Sequence, residues 1–323
     1  MENTINETPK KKFLDRNITT RELVFIIFIV LCLTPWMSPP MALLLGLIVA
    51  QFIGHPFLHL NQKATSLLLQ FSVVGLGFGM NVTSALKAGK EGVLFTVVSI
   101  LGTLIFGTIL GKLFKIDKKI AYLISSGTAI CGGSAIAAIS PIINAEEKQI
   151  SVALGTVFIL NSVALFIFPA IGHALQLSQT QFGLWCAIAI HDTSSVVGAA
   201  SKYGPHALEV ATTVKLARAL WIIPVSVGTT FLFKSKSKKI KIPYFIGWFM
   251  VALLLNTYVP AVAIIAPYLT MLAKTGLTLT LFLIGAGLSR KVLAAVGVKP
   301  LIQGIILWVV ISSMALWAVY NLI

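Results

Sequence analysis

The sequence predicts an all-α polytopic membrane protein with about eleven transmembrane helices, and three observations lead there. Of its 323 residues 57% are hydrophobic and 11% charged, about half the charged share of a soluble domain. Mean hydropathy is +0.93. Apolar runs of about 20 residues, enough to cross a bilayer at 1.5 Å per residue, follow one another through short connections.

Residues 1–21 form a polar, basic tail that lacks the short apolar core and small-residue cleavage site of a signal peptide, and is read as cytoplasmic. Residues 22–323 then form a single integral membrane domain. Spans are expected near 22–37, 41–57, 64–82, 92–114, 119–142, 149–172, 181–200, 207–232, 243–259, 261–288 and 299–322. The basic residues test this register, because cytoplasmic loops are the ones rich in Lys and Arg. With the N-terminus inside, eighteen fall on inside segments and four, Lys87, Lys90, Lys148 and Lys202, outside. The C-terminus is then expected outside. This distribution accounts for the net charge of +15 without nucleic acid, and no aromatic-and-basic face is present to bind it. Cys32, Cys131 and Cys186 all lie in apolar spans, so no disulfide framework is expected.

An internal echo links 69–89 to 277–297 at a constant offset of 208, pairing Gly77 with Gly285, Gly79 with Gly287 and Gly89 with Gly297. Similar helices of opposite direction are the mark of inverted repeats in secondary transporters. Glycine-mediated helix packing alone gives the same pattern, and the register stays open.

Two spans carry helix-breaking chemistry at their centres. In the fifth, Gly132 and Gly133 precede Ser134, and adjacent glycines weaken a helix by about 1 kcal/mol each. A break near 131–134 would aim free N–H groups, with their partial positive charge, at the membrane centre. In the seventh, Asp192, Thr193, Ser194 and Ser195 are consecutive N-cap residues inside an apolar run, so a second break is expected near 190–195. Broken backbone at that depth is tolerated where protein buries it or water lines it, and the expectation is a wet cleft that His191 and Asp192 face. Close glycine packing and interhelical hydrogen bonding are the plainer alternatives.

Asp192 is the only acidic residue well inside a span, whereas three basic residues lie there: Lys215, Arg218 and Lys274. Lys215 and Arg218 are three apart and share a helix face. If Asp192 pairs with one cation, about two positive charges are left over, each costly at bilayer depth. An anionic substrate would complete the site, with Arg218 as a planar clamp, Lys215 and Lys274 as compact charges, and Gly132, Gly133, Ser134, Thr193, Ser194 and Ser195 as further donors. His191 and Asp192 are candidates for ion coupling, since an unperturbed imidazole titrates near neutrality. Asn81 and Asn161 are candidate polar lining. A static ion network bracing the bundle is the competing reading. No metal site or cofactor is expected, and Na⁺ or H⁺ would be a coupling ion only.

Five runs, GLGFGMN, SSGTAICGGSAIAAISPII, HDTSSVVGA, TVKLARA and KTGLTLTLFLIGAGL, taken in order resemble the YeiH-like family of bacterial inner-membrane proteins, usually labelled sulfate exporters. The resemblance runs from about residue 40 to the end. It implies a location in the bacterial cytoplasmic membrane and a fold distantly like bile-acid:sodium symporters and cation:proton antiporters, in which inverted repeats cross through broken helices.

No GxxxxGK[ST] loop is present, which excludes a primary pump acting alone. The leading expectation is a secondary transporter of a small anion, of the sulfate, sulfite or organic sulfonate class, working by alternating access. A cation:proton antiporter using Asp192 and a passive anion channel are the alternatives. An enzyme is not expected, because adjacent His191 and Asp192 project about 100° apart on a helix and form no triad. The lipid bilayer and the anion are the expected partners; a homodimer is left open.

Overall fold

A computed structural model describes residues 19–233, 244–290, 294 and 296–322. The basic tail up to residue 18, the lysines of 234–241 and Lys291 lie outside the described residues. Among the described residues the regular structure is helical throughout.

Helices α1 (Thr20–Cys32), α2 (Pro39–Ile48), α3 (Leu58–Gly77) and α4 (Val82–Leu113) follow the expected order. The second continues through a π-helical turn at Val49–Ile53, ended by Gly54 at φ 83°. Then come α5 (Lys118–Ala129), α6 (Gly133–Ile139), α7 (Glu147–Ala174), α8 (Gln179–Ala189) and α9 (Thr193–Tyr203). The chain closes with α10 (Pro205–Leu220), α11 (Ile222–Leu232), α12 (Tyr244–Tyr258), α13 (Pro260–Gly287) and α14 (Val298–Leu322). Among the described residues, five helical stretches are long and apolar enough to cross a membrane: Thr96–Leu113, Glu147–Ala174, Pro205–Leu232, Pro260–Gly287 and Val298–Asn321. Pro39–Ile53 and Tyr244–Tyr258 are shorter apolar helices.

Both expected breaks are present, but the two broken spans do not cross. α5 has 12 residues, about 18 Å, too short for a hydrocarbon core of about 30 Å. After the break α6 returns to the face from which α5 set out. At that face Lys119 Nζ donates to Asn144 O at 2.7 Å, and Gln149 Nε2 donates to Asp117 Oδ1 at 3.0 Å. Asp117 also caps α5, accepting from Lys119 N and Ile120 N. The seventh span behaves alike. Gln179, at the start of α8, accepts from His206 N and Ala207 N just beyond the end of α9, and Tyr203 Oη donates to Leu177 O. Gly204 allows this closure, since a Cβ there would sit 2.3 Å from Gln179 Oε1.

Residues 118–139 and 179–203 are therefore re-entrant hairpins, and the eleven-span expectation is corrected at those two places. Sequence length could not reveal it: each hairpin has as many apolar residues as a span. The 28-residue α7 joins them. Its start lies by the base of the first hairpin, at Asp117, and its end by the base of the second, where His173 stacks on Tyr203 with ring centroids 4.4 Å apart. The hairpins thus enter from opposite faces. We call the face of the first hairpin the near face and the other the far face.

The remaining helices hold this pair. α10–α11 runs antiparallel to α7, from Gln179 on the far face to Thr229, whose hydroxyl meets Tyr122 Oη at 2.6 Å. α14 touches both hairpins, through Gln303 Nε2 on Ala121 O and Trp185 Nε1 on Ser312 O. A second layer is made by α1, α2, α3, α12 and α13. There α2 and α13 meet backbone to backbone, because a Cβ on Gly46 would lie 2.1 Å from Phe282 O and one on Gly285 2.4 Å from Leu43 O. In lipid, where no hydrophobic effect drives apolar helices together, such close approach supplies the association energy by dispersion. The two helices of the sequence echo, α3 and α13, pack antiparallel: Asn61 Nδ2 donates to Leu283 O, and Gly75 faces Ala273.

Candidate functional site

The two hairpin tips meet beside the middle of α7. At the first, Ile130 leaves helical geometry at φ −114°, ψ −88°, and Gly132 reverses the chain at φ 65°. A side chain is barred there twice over: positive φ strains an L-residue, and a Cβ would lie 3.3 Å from both Asp192 Cβ and Val157 Cγ1. At the second tip Ile190 and Asp192 are extended, and His191 between them donates its N–H to Asn161 Oδ1 at 2.9 Å.

Four helix ends converge here, and most have a charged partner. The C-terminal ends of α5 and α8 carry partial negative charge. Arg218 Nη2 donates to Ala129 O at the first, while its Nη1 donates to Ser99 Oγ at 2.6 Å. Lys215 Nζ donates to Ile190 O at 2.6 Å and Ala187 O at 3.2 Å at the second. The N-terminal end of α9 carries partial positive charge and is capped by Asp192. Its Oδ1 accepts from Ser195 N at 2.7 Å and Ser194 Oγ at 2.8 Å, and its Oδ2 from Ser195 Oγ at 2.8 Å. The start of α6 has no side-chain cap.

This arrangement corrects the expected charge balance. The partners found for Asp192 are these three donors and none is a cation, so the expected Asp–cation pair is replaced by helix capping. Lys215 and Arg218, both 0% exposed, hold carbonyl oxygens at the helix ends, Arg218 reaching Ser99 Oγ as well; with only Nε of the guanidinium left over among the described residues, the expected free clamp is not formed. Lys274 is elsewhere: it is exposed on α13 and lines a cavity with Thr270 and Asn256. With two cations, one carboxylate and four opposed half-charges, the crossing carries a surplus of about one positive charge instead of about two. His191 and Asp192, 0% and 5% exposed, are sealed rather than facing a wet cleft. Their burial follows from the close approach of the tips and the packing of α7 beside them.

The structure brings together Gly132, Gly133, Asp192, Thr193, Ser194, Ser195, His191, Lys215, Arg218 and Asn161. Ser134 sits on the exposed side of α6. Asn81 does not take part; its side chain caps α4 at Thr83 N. Ser99, Thr128 and Thr212 carry no signal in the sequence; they are ordinary hydroxyls in apolar runs that become distinctive in the fold.

Several buried polar atoms have no hydrogen-bond partner among the described residues: both ring nitrogens of His191, Asn161 Nδ2, Arg218 Nε, Thr128 Oγ1 and Thr212 Oγ1. Each belongs to a residue at most 2% exposed. Buried polar groups in folded proteins are nearly always satisfied, so each such atom calls for a partner. Donors predominate: two protons on Asn161, one on Arg218, one on a neutral His191 and two hydroxyls.

Comparison with known proteins places the chain in company. Residues 25–304 match the family described as conserved hypothetical protein 698. A UPF0324 membrane protein of Bacteroides thetaiotaomicron is 59% identical over 287 residues, 88% of this chain and 87% of that one. Its counterparts in Porphyromonas gingivalis and Photobacterium profundum are 53% and 50% identical, covering 86% and 93% of this chain and 86% and 92% of theirs. Among solved structures, the sodium proton antiporter MjNhaP1 of Methanocaldococcus jannaschii at pH 8 aligns over 94% of this chain and 99% of its own, at 15% identity. Its TM-score of 0.31 is too low to support any inference from one molecule to the other.

Proposed function

We propose, for a chain that belongs to the conserved hypothetical protein 698 family of membrane proteins, that it is a secondary transporter of a small anion. The carrying observation is the pair of hairpins entering from opposite faces and meeting tip to tip, with unpartnered donors left over where they meet. Broken helices converging near the membrane centre are how secondary transporters build substrate sites. A hairpin from each face also gives alternating access its two gates: parting one tip from α7 opens the crossing to one side while the other stays shut.

Donor chemistry supports an oxyanion of the sulfate, sulfite or sulfonate class over a cation. The carbonyl ends that would coordinate Na⁺ in such a site are already held by Arg218 and Lys215, and both oxygens of Asp192 are occupied. Gly133 and Ser134, half-buried and exposed, are what an arriving ion meets first. His191, its ring nitrogens unpartnered, is the candidate H⁺ carrier once a bound anion offsets Lys215 and Arg218 beside it. The distribution of basic residues supports the near face as cytoplasmic, in a bacterial inner membrane: Lys112, Lys115, Lys118, Lys119, Arg290 and Lys299 lie there. Lys148 moves to that side with the first hairpin.

Asn161→Asp tests the reading, because it keeps the acceptor for His191 N–H and replaces the free amide donor by a negative oxygen. In proteoliposomes loaded with labelled sulfate, sulfite or a sulfonate, the wild type should show counterflow and the variant at least about a thirtyfold loss, or about 2 kcal/mol. Undiminished anion transport in the variant, or a gain of Na⁺/H⁺ exchange, rejects the anion reading. Flux without counterflow indicates a channel.

A further inference from the structure

Of the four ionic side chains that lie deep in apolar runs, Asp192, Lys215 and Arg218 hold helix ends at the crossing, and Lys274 does not. It lies 14 residues from the start of α13, about 20 Å along the helix. Its main-chain oxygen accepts from Thr278, whereas its ammonium has no hydrogen-bond or ion-pair partner among the described residues. The side chain stands at the inner end of a cavity of about 630 Å³ that reaches past the α3–α4 turn towards the far face.

The walls of this cavity are specific. Phe78 and Met271 supply apolar surface, which strengthens any charge interaction inside. One turn from Lys274, the hydroxyl of Thr270 is covered and has no partner. Gly79 packs directly against it, and only glycine can: a Cβ would lie 2.7 Å from Thr270 Oγ1. Asn256 is pinned by its amide to Met80 O, so the turn is held as a fixed rim. An exposed, unpartnered ammonium and, one turn away under Gly79, an unpartnered hydroxyl lie on one face of the helix that lines this open cavity, a donor pair for oxygen atoms of one small group.

We propose that this cavity is a second anion site, separate from the hairpin crossing, in which Lys274 Nζ and Thr270 Oγ1 hold the oxygens of a phosphate- or sulfate-class group. The group is supplied either as a free ion entering from the far face or as the phosphodiester of an anionic lipid. The site stands on its own observations and does not require that the crossing transports an anion.

The full-length chain, purified in detergent and stripped of lipid, is titrated calorimetrically with inorganic sulfate and phosphate at constant ionic strength, with chloride as the control. In a parallel arm it is placed in nanodiscs of phosphatidylcholine with and without phosphatidylglycerol, and the shift in melting temperature is read. In the arm that shows binding, Lys274→Gln should weaken the response about tenfold and Thr270→Val about threefold, with Lys274→Arg close to wild type. A response confined to the free ions assigns an entry site; one confined to phosphatidylglycerol assigns a lipid site. Thr270→Val is nearly isosteric, so it decides the matter if Lys274→Gln fails to fold. Wild-type responses in both variants, or no response of the wild type in either arm, overturn the site. Asn161→Asp leaves this binding intact, so loss of transport in that variant with normal Lys274 binding separates failure at the crossing from failure here.

Discussion

At the scale of single residues, the crossing is built by side chains that stand in for missing helix. Arg218, Lys215 and Asp192 each complete a helix end that the break exposed, and Gly132 makes the reversal sterically allowed. Gly132→Ala should therefore fold poorly: positive φ costs an L-residue about 1–2 kcal/mol, and the new methyl must displace Asp192 and Val157. A fall of several degrees in melting temperature, with lost transport, is the expected outcome; an unchanged melting temperature would show that the tips are not held in contact. The identity of these residues was legible in sequence, because glycine pairs and cap-forming side chains are out of place in apolar runs. Their employment was not. Whether Arg218 faces a carbonyl or a substrate depends on which helix end lies opposite it, and Ala129 is 89 positions away.

At the scale of elements, the sequence located both interruptions within a residue or two and missed what they do to the chain. A break can mark a bend in a crossing helix or the tip of a hairpin, and the apolar run has the same length in either case. The difference lies in the closing contacts at the base, Asp117 with Gln149 and Gln179 with His206, which are long-range pairs of ordinary polar residues. Single-cysteine labelling checks the result. A thiol at Lys148→Cys should react from the same side of the membrane as one at Lys118→Cys, and from the side opposite Lys202→Cys. Reaction of the first and third from one side would restore a crossing fifth span.

At the scale of the whole molecule, the two layers differ in how they are held. The hairpin layer is tied by side-chain caps and buried hydrogen bonds, such as Gln303 bridging Gly107 and Ala121. The outer layer is tied chiefly by glycine contacts between α2, α3 and α13, to which Gln51, Asn61 and Asn256 add amide bonds to main-chain oxygens. That division was visible in outline, since the glycines of the echo and the polar residues of the fifth and seventh spans fall in different layers. Lys274 lies outside the expected cation cluster for the same reason: depth along a helix can be read from sequence, but not which layer the helix joins.

The three thiols give this architecture a built-in clock. Cys32, Cys131 and Cys186 are 1%, 3% and 0% exposed, so the resting protein should be silent towards a small membrane-permeant maleimide. Cys131 alone lies in the turn between α5 and α6. Its modification rate, measured with and without transported anion, should therefore count the excursions in which the first tip withdraws from the second. A rate equal to that of Cys186 under every condition would mean that the gate never swings there.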